Sequence, residues 1–408
     1  MVITLAAIAC SMVIQPDARD AFRSPKDLAL AAAAIIISAL TAGAWLLGMV
    51  SLKRIPWKAP ETALVAASLL WVGVTTLTST NRVLSAESAL RFGALLALIL
   101  ATIYVGLARR IALVWAFLAP ALLNAVLMMS QAAGLWSPFP IAGGRISVVG
   151  MLGNPDDAAG YLVAPAILAA ALTMALPRHR LLFATVTITL VGGIWASQTI
   201  TAGVALAIAL PMVVIVSRPV RAGRVAALTL ASVVVCFGLL VVMQPRLRAA
   251  AGAIRNSGFQ ALGASRTLPF FSALEMAADH PLTGVGPGCF GYQYMPYQLK
   301  AQGDMPRLAE SMTRGINFAE AHNDHLQILA ECGLPGYALF AAALLLLARC
   351  SGGEQGTTPA SEAARIMALP LAAGIAILCA GHFALQLASS ASVIAQTAAL
   401  CVAWRHRG

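Results

Sequence analysis

Apolar runs of about 20 residues, the length that crosses a bilayer's hydrocarbon core as a helix, recur along the chain near residues 28–50, 62–78, 89–107, 111–133, 155–176, 181–197, 200–217, 225–243, 326–348 and 366–387. Two shorter runs, 2–15 and 390–404, bring the expected number of spans to about twelve. The first lacks a basic leading region and an A-x-A cleavage site, so it reads as a short span and not as a removable signal peptide. The pattern predicts an all-α, polytopic integral membrane protein.

Polar sequence gathers in one long stretch, 244–323, which predicts a single elaborated loop. Inside it, Phe270, Phe271, Leu274 and Ala278 recur at helical spacing, predicting an amphipathic helix over Ser265–Ala278 that lies on the bilayer surface and is stopped by Asp279-His280-Pro281. Gly284, Gly286 and Gly288 follow. No strand precedes them, which argues against a nucleotide-binding turn. Phe290, Tyr292, Tyr294 and Tyr297 read as an interfacial aromatic belt in preference to sugar-stacking rings.

The least expected positions come where this loop enters the next apolar run. A helix beginning near Asp324 places Asp324, Gln327 and Glu331 at i, i+3 and i+7 on one face, with Glu331 about 10 Å below the helix start. A carboxylate inside a span costs on the order of 3 kcal/mol, so this stripe is a candidate site; the competing view is a kink whose Glu bonds neighbouring helices. Gly333, Pro335 and Gly336 interrupt the helix just beyond it, which is tolerated where backbone lines a cavity or is buried in protein. At the mouth stand His322, suited to exchange protons near neutral pH, and His325, read as a solvated surface residue. His-x-x-His supplies two ligands and no HExxH is present, so no metal site is assigned.

Composition sharpens this picture. The chain of 408 residues is 60% hydrophobic and 11% charged, with mean hydropathy +0.83, outside the range of soluble domains. Basic residues in the short loops (Lys53, Arg54, Lys58; Arg109, Arg110; Arg178, Arg180; Arg218, Arg221, Arg224; Arg349, Arg365; Arg405, Arg407) all fall on one side. The positive-inside rule makes that side and both termini cytoplasmic, and turns the 244–323 loop outward. These residues account for about half of the 27 basic ones, so the net charge of +11 calls for lipid headgroups and no nucleic acid. Of seven cysteines only Cys289 lies in the outer loop, and no C-x-x-C occurs. No internal repeat is found. Residues 1–408 read as one membrane domain, with 351–361 a flexible cytoplasmic connection.

Guanidinium groups grip phosphate oxygens in two places. Arg246, Arg248 and Arg255 suit lipid headgroups, whereas Arg266, heading the amphipathic helix, and Arg314, eight positions before His322, suit a diphosphate. Arg145 precedes Gly153-Asn154-Pro155-Asp156-Asp157, in which Asn154 as N-cap, Pro155 at N1 and two acids form a helix-start signal.

Ala321-His322-Asn323 with Leu326, Glu331, Gly333 and Gly336, preceded by Ser265-Arg266 and Asp279-His280-Pro281-Leu282-Thr283-Gly284-Val285-Gly286, resembles the O-antigen ligase and polymerase superfamily of membrane glycosyltransferases. Arg145 with Gly153-Asn154-Pro155 resembles a second segment of that family. The resemblance implies a polytopic helical fold with its active site at the periplasmic face and a donor glycan linked to undecaprenyl diphosphate. With the residues above, the chain reads as a bacterial inner-membrane transferase that moves this glycan to an acceptor such as lipid A core, without cofactor or metal. The family's loop histidine corresponds to His322 and its loop arginine to Arg266. Arg145 or Arg314 would help hold the donor, while Asn323, Asp324, Glu331 and Asn154 would bind or position substrate. Two departures stand out. Ile200, in Ser197-Gln198-Thr199-Ile200-Thr201, occupies the place of a family arginine, so that contact is missing or comes from elsewhere; and Asp156 stands where a second Asn is expected. A polymerase of the same superfamily is the nearest alternative. A lipid-linked glycan transporter is the alternative of another class, and the clustering of unusual residues at one face favours chemistry over passage.

Overall fold

A computed structural model describes residues 2–18, 20–48, 60–106, 110–139, 144–218, 260–304, 317–352 and 356–405, with isolated positions between 248 and 255. Arg314 and the run 225–243 lie outside the described residues. The described chain folds into α-helices joined by turns and short 3-10 segments, with no strand among the described residues. In chain order they are α1 (Val2–Met12), α2 (Ser24–Leu46), α3 (Pro60–Leu77), α4 (Arg82–Gly106), α5 (Arg110–Ala132), α6 (Pro155–Ala175), α7 (Arg180–Ser197), α8 (Ile200–Val216), α9 (Gln260–Asp279), α10 (Phe290–Asp304), α11 (Asp324–Arg349), α12 (Pro359–Gly381) and α13 (Ala388–Arg405).

Among the described residues, eight helices are long and apolar enough to cross a membrane, and α1 and α8 are shorter apolar helices. That is the architecture of a multi-pass membrane protein. The run 366–387 divides differently from the sequence pattern: α12 ends at Gly381, because His382 takes an extended backbone (φ −149°, ψ 163°).

At the centre stands α6, almost wholly buried among α5, α7, α8, α12 and α13. Its alanines carry no side-chain bulk, so neighbouring backbones approach closely, the usual basis of packing between helices in lipid. Its start follows the sequence signal. Asn154 accepts a hydrogen bond from the Asp156 amide at 2.8 Å and Pro155 occupies the first turn.

Polar connections between several helices collect at one end. There Lys26 Nζ donates to Val13 O (2.9 Å), the Thr80 amide to Val285 O (3.0 Å), the Met151 amide to Asn124 Oδ1 (2.8 Å) and Asn323 Nδ2 to Ala380 O (3.0 Å). At the other end lie Arg110, Arg178, Arg180, Arg218, Arg349, Arg365 and Arg405, each at or near a helix terminus.

The break in α11 is a built feature. Gly333 has φ 68° and ψ −175°, and a Cβ there would fall 2.0 Å from the Leu282 carbonyl oxygen. The Leu334 amide turns away to Pro281 O (2.8 Å) and Pro335 has no N–H, so the carbonyls of Ala330 and Glu331 lose their helical donors. The amides of Val285 (2.9 Å) and Gly286 (3.0 Å) replace them. Residues 281–286 thus run alongside the kink and restore the hydrogen bonding that the bilayer cannot supply.

Candidate functional site

His322 sits at the polar end, between the helices rather than on one. Its φ of 55° is left-handed, a conformation rare for a residue with a Cβ and costing roughly 1 kcal/mol. Both neighbours are pinned: the Ala321 amide donates to Gln327 Oε1 (2.9 Å), and Asn323 caps α11 by accepting from the Leu326 amide (3.0 Å). Gln327 and Asn323 therefore aim the imidazole. It meets Phe318 and Phe383 edge to face, with centroids 5.6 and 4.8 Å away, and among the described residues its ring makes no hydrogen bond. Burial, then the charge of Arg266, pushes its pKa down to about 4, so at neutral pH the ring is uncharged and able to accept a proton.

Arg266, in the second turn of α9, is half-buried and donates through Nη1 to Gly381 O at 2.8 Å, at the end of α12. A guanidinium has five donors, and the carbonyl fixes the group without neutralising it. The charges of Arg266, Asp156 and Arg23 all act on His322.

Arg145 heads a short 3-10 turn and reaches the α7–α8 junction. Its Nε donates to Ser197 O (2.9 Å), its Nη2 pairs with the Asp156 carboxylate, and Thr199 Oγ1 donates to Asp156 Oδ1 (2.9 Å). The acid that departs from the resemblance is thereby matched by Arg145, which lies against the segment that carries Ile200. Arg145 also lines a cleft of about 690 Å³, bounded by Trp136, Phe139, Ser147 and Gln198.

The acidic stripe is engaged within the protein. Buried Glu331 accepts from the amides of Gly288 (2.9 Å) and Phe290 (3.2 Å) and from Gln327 Nε2 (3.2 Å). Buried Asp324 accepts from the Leu385 amide (3.0 Å) and Gln386 Nε2 (3.3 Å). Each fastens a loop beside His322. His325 is not a solvated surface residue: its Nε2 lies 2.8 Å from Ala376 O and its Nδ1 3.4 Å from the Tyr337 hydroxyl. Phe290 and Tyr294 form no interfacial belt either. Both are fully buried, and ring contacts run from Phe290 through Tyr294 and Phe318 to His322. Tyr292 alone of that group is well exposed. Cys289, in the same region, is buried against Ser79 and Ser85.

Two residues were missed. His382 lies 3% exposed with Nε2 3.6 Å from Asp157 Oδ1, and burial holds it well below the usual histidine range, at about 3. Arg23, just before α2, pairs with Glu320 (2.8 Å) and Asp157 (3.7 Å) and stacks over Phe383 (5.1 Å). The available signals were an arginine in a short outer connection, against the charge bias, and a Gly-His pair interrupting an apolar run.

Residues 182–341 match the O-antigen ligase family model. The resemblance to the O-antigen ligase and polymerase superfamily is borne out over that stretch, which contains Arg266, Arg314, His322, Asn323, Asp324 and Glu331. The O-antigen ligase match ends before His382 and begins after Arg23, Arg145 and Asn154. It supports a ligase- or polymerase-type membrane glycosyltransferase. No curated protein matches the chain.

Proposed function

We propose that this protein is a metal-independent glycosyltransferase of the bacterial inner membrane that moves a glycan from undecaprenyl diphosphate to an acceptor, lipid A core or similar, at the periplasmic face. The observation that carries the reading is His322, whose ring is held edge-on by Phe318 and Phe383, makes no hydrogen bond among the described residues and feels the charge of Arg266, within the stretch that matches the ligase family. The acceptor hydroxyl oxygen attacks the anomeric carbon, the bond from that carbon to the diphosphate breaks, and His322 takes the hydroxyl proton. Arg266 holds the charge that grows on the departing diphosphate. Arg145, which lines the cleft and bonds Ser197 three positions before Ile200, would supply the diphosphate contact that Ile200 lacks; Arg314 is the further candidate. Asn323, Asp324 and Glu331 act through the loops they fasten, and Asn154 through the helix start it caps.

Metal independence is supported by the commitment of His325 to Ala376 and Tyr337, which removes the second ligand of a His-x-x-His pair. The gathering of basic residues at the opposite end supports cytoplasmic termini and an outward 244–323 segment within one membrane domain.

The test is the purified protein with a defined undecaprenyl diphosphate glycan, offered lipid A core, a second lipid-linked unit or a peptide, with products read by mass. Transfer to lipid A core at full rate in EDTA is expected. Extension of the lipid-linked unit instead would make it a polymerase, and loss of activity restored by a divalent cation would overturn metal independence.

A further inference from the structure

Resting on the reading above, we propose that Arg23 is a further diphosphate-binding residue of the site and that Glu320 is its internal stand-in, a carboxylate that the donor's diphosphate must displace.

Phe383 supplies the geometry. One face region takes the Arg23 guanidinium at 5.1 Å from its centroid, and the same ring lies 4.8 Å from the His322 ring. Arg23 is thus beside the proton acceptor although the two are 299 positions apart in sequence. Stacking on an aromatic face leaves the N–H edge of a guanidinium free for in-plane acceptors. Here that edge meets two carboxylates: Glu320 Oε1 at 2.8 Å and, more loosely, Asp157 Oδ2 at 3.7 Å.

The two carboxylates differ in access. Asp157 is buried, whereas the Glu320 side chain is 19% exposed and that of Arg23 is 36% exposed. Behind Arg23, between Lys26, Asp157 and Gln386, the cavity holds only about 20 Å³, room for roughly one water and none for a diphosphate. Among the described residues, the side open to an anion is therefore the outer one, where Glu320 lies. A paired carboxylate there keeps Arg23 oriented and sets an anionic oxygen against its N–H edge, as a phosphate oxygen would be set. The chemistry recognised is a diphosphate ester; an anionic lipid headgroup would present similar oxygens, and the test separates the two.

The experiment uses full-length protein in nanodiscs, with wild type, Glu320→Gln, Arg23→Lys and the double variant. Two quantities are read: KM for the lipid-linked donor, and the rise in Tm caused by inorganic diphosphate or by phosphatidylglycerol in the disc. Glu320→Gln should lower KM about 2- to 5-fold, the scale of a partly exposed ion pair, and enlarge the diphosphate-induced shift. Arg23→Lys should raise KM about 10-fold, the scale of a lost charged hydrogen bond, and abolish most of the shift. In the double variant the gain from Glu320→Gln should vanish, since it passes through Arg23. A purely structural pair would instead lower Tm in each variant and leave KM and the diphosphate shift as in wild type, which overturns the proposal. A shift produced by phosphatidylglycerol and not by diphosphate also overturns it. If His322→Ala keeps full activity while the diphosphate results hold, the catalytic reading fails and the Arg23 assignment survives; if His322→Ala is inactive and the diphosphate results fail, only Arg23 is refuted.

Discussion

Arg266 and His322 divide the proposed reaction into charge and proton, and their surroundings make the two roles separable. Arg266 gives one N–H to the Gly381 carbonyl and, among the described residues, keeps the rest of its fork for a ligand. Arg266→Lys retains the charge but loses the fork, so the variant should fold and lose a large part of its transfer rate at saturating donor, with Arg266→Ala lower still. Arg255→Lys, at an exposed position, is the control and should have little effect; wild-type rates in Arg266→Lys would remove the diphosphate role. For His322, burial and Arg266 depress the pKa to about 4. The neutral base therefore persists as pH falls from 8 to about 5, and kcat/KM should decline only as pH falls through about 4, not through the usual 6.5. The same shift makes protonation harder in the folded than in the unfolded chain, so its contribution to stability is full above 6.5 and is lost progressively toward about 4. His322→Ala should cost about 100-fold to 10,000-fold in turnover, and an acid limb near 6.5 in wild type would exclude His322 as the base.

At the scale of elements, the kink of α11 and the segment 281–290 are one unit. The kink strips donors from Ala330 and Glu331, and the segment returns them; in exchange the Glu331 carboxylate satisfies the amides that open α10. Glu331→Ala would leave two amides without their carboxylate acceptor, at about 1–3 kcal/mol each, and should lower Tm and yield together. Glu331→Gln keeps one acceptor oxygen and should retain most of both, along with transfer. Abolished transfer in a well-folded Glu331→Gln would assign the carboxylate a chemical part instead. Gly284→Ala should be at least as damaging as Glu331→Ala, because its φ is 66° and a Cβ would fall 2.3 Å from the Glu331 carbonyl carbon.

For the molecule as a whole, the polar end and the basic end make a testable topology. Cys289 is no use as an outside probe, being buried against Ser79 and Ser85. Leu282, 65% exposed beside the site, and His179, exposed at the far end, serve better. In a background without reactive native cysteines, Leu282→Cys should react with a membrane-impermeant maleimide in spheroplasts, and His179→Cys only after permeabilisation. The reverse pattern would invert the protein in the membrane.

Local pattern was enough to place much of this protein. Apolar run length marks the helices because hydrocarbon demands internally bonded backbone, the Asn154-Pro155 signal marks the start of α6 because capping is a matter of adjacent residues, and the Gly333-Leu334-Pro335 break is visible because each residue acts on its own turn. Polarity within one window also pointed to His322, Arg266, Asp324 and Glu331. What no window could tell was which of these polar groups are already satisfied. Asp324, Glu331 and His325 are bonded to loops and helices tens of residues away, while the His322 ring has no hydrogen bond among the described residues, and that difference exists only once the helices are side by side. Nor could periodicity bring Arg23 to Glu320, 297 positions on, or His382 to Asp157. Helices follow from near neighbours along the chain; the site follows from packing that joins their ends.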